Sequence, residues 1–198
     1  MIASIDLTNS YSLLTIYNKN TFQFIKYQDS EQIPFQLSFD IYGNINIQSN
    51  EVNQIFTFQD FINSIFNNKN NQNEYQIQYL GKSYSLNDKD LFYFYMNNLI
   101  DLLINESEHI EKVMIIIPDE INQNDERNEE IKKVIYSIMK SINKIEFDVV
   151  NSSLSYLAFL IGFDQFPKEI KERNYIIIEI NSKQLTICPA QFEISRTS

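Results

Sequence analysis

The sequence predicts an α/β fold with a mixed β-sheet and flanking helices. Short β-rich runs separated by polar turns open the chain, which is typical of antiparallel strands. The second half alternates apolar strands with helices, which is typical of parallel strands joined by helical crossovers. A chain of 198 residues with 43% hydrophobic content is also long enough to bury one substantial core.

The first part of the chain predicts an antiparallel meander. Polar turns at residues 8–10 and 18–20 separate the first three runs, and such short connections favour hairpins over crossovers. Pro34 then interrupts the pattern before two further strands. The five predicted strands are residues 2–7, 12–17, 21–27, 35–39 and 45–47.

The middle of the chain predicts smaller elements and one long helix. Residues 56–66 predict a short strand that leads into a helical turn, and residues 75–86 predict a small hairpin. Asp88 is expected to cap a helix with apolar residues at 3.6-residue spacing that ends near Asn105. We expect one domain, residues 1–198, with a small inserted subdomain at about residues 40–111.

The second half predicts β-α-β-α units. Residues 112–117 form a continuous apolar run, the kind that is buried on both faces of a parallel sheet. A helix is expected to begin at Glu129, followed by a strand at 147–150, a helix at 154–161 and a terminal hairpin at 175–188. The first of these helices has apolar residues at i, i+3, i+4 and i+7 spacing, which predicts core packing. They are Ile131, Val134, Ile135, Ile138, Met139 and Ile142.

Composition excludes several classes of function. The formal net charge of −10 opposes direct binding of nucleic acid and favours a basic partner. The chain has one cysteine, Cys188, which excludes an intrachain disulfide and a zinc site of several thiolates. It has one histidine, His109, which excludes most catalytic schemes that need a placed imidazole. No basic leader and no apolar run of membrane-spanning length are present, so we expect a cytoplasmic protein that does not bind membranes.

Glycine is scarce. The chain has 3 glycines, Gly43, Gly81 and Gly162, and no two of them lie close in sequence. Loops that wrap a phosphate use glycine because it permits positive φ and a close approach of backbone N–H groups to the ligand. A nucleotide enzyme of the usual glycine-loop kind is therefore disfavoured.

Several segments, in order, resemble the first lobe of an Hsp70-type ATPase, a member of the actin and sugar-kinase fold group. Residues 5–12, IDLTNSYS, resemble the first phosphate loop of that family, I-D-L-G-T-T-Y-S. Residues 55–62, IFTFQDFI, resemble V-F-D-A-K-R-L-I, and residues 151–164 resemble N-E-P-T-A-A-A-I-A-Y-G-L-D. The resemblance covers nearly the whole chain and implies an actin/Hsp70-like ATPase fold of which only the first lobe is present.

The same resemblance implies a vestigial nucleotide site with no catalytic residue and no metal. Asp6 and Glu179 fall where the family keeps two carboxylates near its metal, although either acid also fits a structural role at the end of a strand. Gln59 replaces the catalytic lysine, and a neutral amide cannot stabilise charge on a transferred phosphoryl group. ATP binding is possible but not expected. The residues of this vestigial site are Asp6, Thr8, Ser10, Gln59, Glu179 and Ser182.

Further short matches are similar to the atypical Hsp70 subunits of ribosome-associated complexes. Residues 33–39, IPFQLSF, resemble I-P-S-A-L-S-Y, residues 58–62, FQDFI, resemble F-R-D-F-I-G, and residues 165–167 match Q-F-P. This resemblance implies a co-chaperone without ATP turnover that has a zuotin-type J-protein partner and reaches the ribosome through it. Two alternatives stay open: an ATP-binding Hsp70-type chaperone domain and a structural subunit of another large assembly.

Overall fold

A computed structural model of the protein describes residues 1–7, 11–18, 21–39, 45–47, 53–55, 61–63, 74–79, 82–118, 125–152, 172–180 and 185–193. The elements of this part of the chain confirm a mixed α/β architecture. They are β1 (Ile2–Asp6), β2 (Tyr11–Asn18), β3 (Thr21–Phe24), β4 (Ile33–Pro34), β5 (Gln36–Phe39), β6 (Ile45–Ile47), β7 (Asn53–Ile55), β8 (Glu74–Tyr79), β9 (Lys82–Asn87), α1 (Asp88–Glu106), β10 (Lys112–Ile117), α2 (Asp125–Ile142), β11 (Glu146–Asn151), β12 (Glu172–Ile180) and β13 (Leu185–Glu193).

The central sheet has the strand order β11-β10-β1-β2-β3, and the short strand β4 also pairs with β2. β1 is antiparallel to β2, and β2 is antiparallel to β3, which confirms the predicted meander. β1 is parallel to β10, and β10 is parallel to β11. The sheet is therefore mixed, with β1 at the junction between its antiparallel and parallel halves.

Side chains alternate between the two faces of this sheet, as the pleat of a strand requires. We call one face the helix face, because both described helices contact it. Its members include Ala3, Ile5, Leu14, Ile16, Gln23, Val113, Ile115, Phe147 and Val149. The other is the opposite face, whose members include Ile2, Ser4, Asp6, Leu13, Thr15, Tyr17, Phe22, Phe24, Lys112, Met114, Ile116, Glu146 and Asp148.

Helix α1 begins with a capping box. The Asn87 side chain accepts hydrogen bonds from the backbone N–H groups of Lys89 at 2.9 Å and Asp90 at 3.1 Å, and Asp90 accepts one from the Asn87 N–H at 2.9 Å. The prediction that Asp88 is the cap is wrong by one residue. Asp88 is buried and accepts a hydrogen bond from the Tyr75 hydroxyl at 2.8 Å, so its carboxylate is used in a tertiary contact. The predicted end near Asn105 agrees with the observed end at Glu106.

Tyr95 connects α1 to the sheet and is completely buried. Its hydroxyl donates to the carbonyl oxygen of Ile33 at 3.1 Å and lies 3.0 Å from the hydroxyl oxygen of Ser12. The Tyr95 ring also stacks on Phe35 with 4.7 Å between ring centroids. Burial raises the pKa of Tyr95, and the hydrogen bond with Ser12 offsets part of that rise.

Helix α2 begins at Asp125, one turn before the predicted start at Glu129. Its apolar stripe packs into the core, as predicted: Ile131, Ile135, Met139 and Ile142 are buried, and Val134 and Ile138 pack against them. The Tyr136 ring lies 5.1 Å from the ring of Phe147 on β11, between centroids. Because Phe147 belongs to the helix face, α2 lies on the same side of the sheet as α1.

Within the described residues, three smaller sheets accompany the central one. β5 pairs with β6 and β7, β8 pairs with β9, and β12 pairs with β13, all antiparallel. The two predicted hairpins are confirmed, and the terminal one is longer than predicted.

Residues 61–63 are helical, while the predicted helix at 154–161 lies outside the described residues. Neither α1 nor α2 is long and apolar enough to cross a membrane. The inserted subdomain at 40–111 stays a prediction.

Candidate functional site at the carboxyl edge of the parallel strands

The parallel strands β1, β10 and β11 end at one edge of the central sheet. Asp6 of β1 is in register with Ile116 of β10, and Ile117 is in register with Asn151 of β11. In open α/β sheets, ligands bind outside the carboxyl ends of the strands. This edge is therefore the candidate functional site, and it contains Asp6, a residue of the predicted vestigial nucleotide site.

Asp6 is the last residue of β1 and is half-buried on the opposite face. In register, Leu13 of β2 lies on one side of it and Ile116 of β10 on the other. The N–H of Leu7 donates to the Ile116 carbonyl at 2.9 Å, which continues the pairing past Asp6 and fixes the strand end. The site therefore has a carboxylate between two apolar neighbours, at the position where a strand end could present it to a cation or to hydrogen-bond donors.

Asn151 marks the end of β11 at the same edge. It faces Ile117 across the ladder, so the strand alternation places it on the helix face, whereas Asp6 is on the opposite face. β10 also lies between the two residues. Ser152, which falls near the position of an acid in the Hsp70 motif, follows directly and is half-buried. Polar residues therefore lie together at this edge, but Asp6 and Asn151 are on different faces of the sheet.

Glu179 is the next-to-last residue of β12 and pairs with Thr186 of β13. Among the described strands, β12 pairs with β13 and with no strand of the central sheet. The remaining members of the predicted site, Thr8, Ser10, Gln59 and Ser182, lie outside the described residues.

The described residues contain no group of three or more histidine, cysteine, aspartate or glutamate side chains that could hold a metal ion. The expectations of no metal, no cofactor and no catalytic residue stay predictions.

His109 is exposed. Its carbonyl oxygen accepts a hydrogen bond from the Met1 amino group at 3.0 Å, which also lies 3.2 Å from Glu111 Oε1. These residues line an open cavity of about 530 Å³ at the amino end of β1.

A charged cluster on the opposite face was not predicted. The Nζ of Lys112 lies 2.5 Å from Asp148 Oδ2 and 3.3 Å from Glu146 Oε1. The hydrogen bond to Asp148, followed by that to Glu146, raises the pKa of Lys112. The sequence contains one signal for this cluster: the acids at 146 and 148 are two residues apart, which places them on the same face of a strand. It locates the cluster only after the register of β10 on β11 is known.

No family model matches the chain, and no curated protein matches it. The fold defines an α/β protein with a mixed central sheet, and both described helices lie on the helix face of that sheet. Membership of the Hsp70 family therefore stays a prediction from the sequence motifs.

Proposed function

We propose that the protein is a catalytically degenerate Hsp70-like co-chaperone or scaffold. In this proposal it associates with the ribosome through a J-protein partner and assists the folding of nascent chains. The observation that carries the proposal is Gln59, in a segment that resembles the lysine-containing motif of the family. Without that cation the site has no side chain there to stabilise the charge of a transferred phosphoryl group, so a binding role is favoured over ATP turnover.

The geometry supports this proposal in two respects. In the central sheet the antiparallel strands come first and the parallel strands follow, which is the order that the sequence pattern predicts. Asp6 also ends a strand at the carboxyl edge, where a site inherited from a nucleotide-binding ancestor would lie. The net charge of −10 favours a basic protein as the direct partner and disfavours direct contact with ribosomal RNA.

Affinity purification tests the proposed partners. The tagged full chain is recovered from its native cells at low salt, and the eluate is examined for a J-protein and for ribosomal proteins. We expect both, and we expect the ribosomal proteins to disappear when the J-protein is depleted. Recovery of a stable complex that contains neither would refute the ribosome-associated role and favour a structural subunit of another assembly.

A second candidate function is ATP binding, which the position of Asp6 at the carboxyl edge favours. Melting is followed with and without Mg-ATP, because a ligand at about 100 times its Kd stabilises the folded state by about 2.7 kcal/mol. The scaffold proposal expects no shift in melting temperature. A shift that is lost in Asp6→Asn but kept in Glu130→Gln, an exposed acid of α2, would contradict it and establish ATP binding.

A further inference from the structure

The outer edge of β3 is an exposed end of the central sheet. All four residues of β3 are exposed, and among the described strands β3 pairs only with β2. The N–H of Ile25 donates to the Leu14 carbonyl at 2.9 Å. Hydrogen-bonding residues alternate along an antiparallel strand, so Gln23 and Ile25 direct their main-chain groups toward β2. Phe24 therefore directs its N–H and C=O outward, where another strand could pair with them.

The two sides of this edge differ in chemistry. Phe22 and Phe24 lie on the opposite face, with 45% and 47% of their surface exposed. Gln23 lies on the helix face, where its Nε2 donates to Glu106 Oε1 at 3.1 Å. Glu106 is the last residue of α1, whose last turn contains no basic residue, so its carboxylate adds to the negative end of the helix dipole. The edge is aromatic on one side and negative on the other.

We propose that the edge of β3 binds an extended segment of a partner protein by β-strand addition, and that this segment alternates apolar and basic residues. Main-chain hydrogen bonds would supply affinity, and the alternation of side chains would supply specificity. Apolar side chains of the added strand would pack beside Phe22 and Phe24. A lysine or arginine opposite Gln23 would lie on the side of Glu106. This inference is independent of the proposed co-chaperone function.

A basic partner fits this edge better than a second copy of the chain. Two copies joined edge to edge through Gln23 would place both Glu106 carboxylates on the same side of the combined sheet, and each copy carries a net charge of −10. A large net charge of the same sign on both copies opposes their association. The edge strand β11 differs, because Glu146 and Asp148 provide the charges that discourage strand addition. β3 has no charged residue.

The first test uses synthetic peptides and the full chain. The probe is a short peptide of alternating valine and lysine. One control peptide has glutamate in place of lysine, and the other has the same composition with the lysines contiguous. Binding is measured by fluorescence anisotropy at about 0.15 M salt, where screening limits long-range attraction. We expect the alternating peptide to bind at least about tenfold more tightly than either control, a difference of about 1.4 kcal/mol, and to slow hydrogen exchange at the Phe24 amide.

Two variants locate the site. Phe24→Pro removes the outward N–H and leaves the hydrogen bonds of Gln23 and Ile25 to β2, so we expect it to abolish binding. Glu106→Lys should weaken the lysine peptide by about tenfold and strengthen the glutamate peptide by a similar factor. Glu130→Lys makes the same charge change on an exposed position of α2 and should leave both affinities unchanged.

Circular dichroism checks whether each variant folds. If Phe24→Pro does not fold, the charge exchange at Glu106 still tests the proposal. Equal binding of the alternating and contiguous lysine peptides would overturn the proposal. Unchanged peptide preference in Glu106→Lys would also overturn it. A dimer in sedimentation that Phe24→Pro dissociates would show that a second copy occupies this edge instead.

Discussion

The two faces of the central sheet come from the same strands but differ in what covers them. On the helix face, Ile5, Leu14 and Ile115 have no exposed surface and lie in one core with α1 and α2. On the opposite face, nearly half of the surface of Ile2, Phe22 and Phe24 is exposed to solvent. Polar contacts also occur there, such as the 2.6 Å hydrogen bond between the hydroxyls of Ser4 and Thr15. The difference indicates that the core of the described residues lies on the helix face, whereas several apolar side chains of the opposite face stay partly exposed.

The largest expected effect is on the helix face. Ile115→Ala would leave a cavity beneath the helices, because Ile115 is completely buried in the middle of β10. We expect it to lower the free energy of unfolding by about 2–5 kcal/mol. Met114→Ala, at the adjacent half-buried position on the opposite face, should cost less than half as much. Urea unfolding of the two variants measures the difference, and equal losses would contradict the assignment of the core to one face.

Tyr95→Phe is expected to have an intermediate effect. The substitution keeps the ring and removes the hydroxyl that contacts Ile33 and Ser12, so it leaves buried polar groups without a partner. We expect a loss of about 1–3 kcal/mol in urea unfolding. Tyr93→Phe, at a half-buried position of the same helix, is the matched control and should have little effect. A loss in Tyr93→Phe as large as that in Tyr95→Phe would contradict the role of the buried hydroxyl.

The raised pKa of Tyr95 also predicts a pH dependence. The unfolded chain releases this proton near the ordinary pKa of about 10, whereas the folded protein retains it to higher pH. The contribution of Tyr95 to stability is therefore complete below pH 10 and is lost as the pH rises from there through the raised pKa. Wild type should lose stability more steeply than Tyr95→Phe above about pH 10. Parallel unfolding curves of the two proteins between pH 9 and pH 11 would contradict this prediction.

The smallest effect is expected for Lys112→Gln on the opposite face. Lys112 contacts Glu146 and Asp148 in a solvent-exposed setting, where ion pairs contribute little and salt screens them. We expect a decrease in melting temperature smaller than that of Tyr95→Phe, and we expect it to vanish at about 1 M salt. A decrease as large as that of Ile115→Ala would show that the opposite face also stabilises the fold.

Much of the fold could be predicted from local patterns. The apolar run that became β10 and the 3.6-residue stripe of α2 each depend on neighbours in sequence, and the structure confirms both. The cap of α1 could not be assigned correctly, because Asn87 and Asp88 are both good capping residues. What separates them is the tertiary contact of Asp88 with Tyr75. β4 was missed because a strand of two residues exists only through its pairing with β2.

The candidate site could be predicted less well. The place of Asp6 at a strand end follows from the sequence, and the structure shows it at the carboxyl edge. Its placement on a different face from Asn151 depends on the register of three strands, which no local pattern specifies. The same holds for the contact between Gln23 and Glu106, which are 83 residues apart in the chain. Sequence patterns locate strands and helices, but they do not determine which side chains meet.

The position of β1 has a consequence for synthesis of the chain. β1 is made before the other described strands, but its parallel partner β10 pairs Lys112 with Ile2, 110 residues later. At about 5–20 residues per second, a ribosome needs roughly 6–22 s to synthesise the intervening chain. During that interval the emerging meander of β1, β2 and β3 lacks β10 and α2, and until Glu106 has been made its buried side chains also lack the complete helix α1. The nascent protein is thus itself a chain with exposed strands, and its central sheet is complete only after β11, which ends at Asn151, has been made.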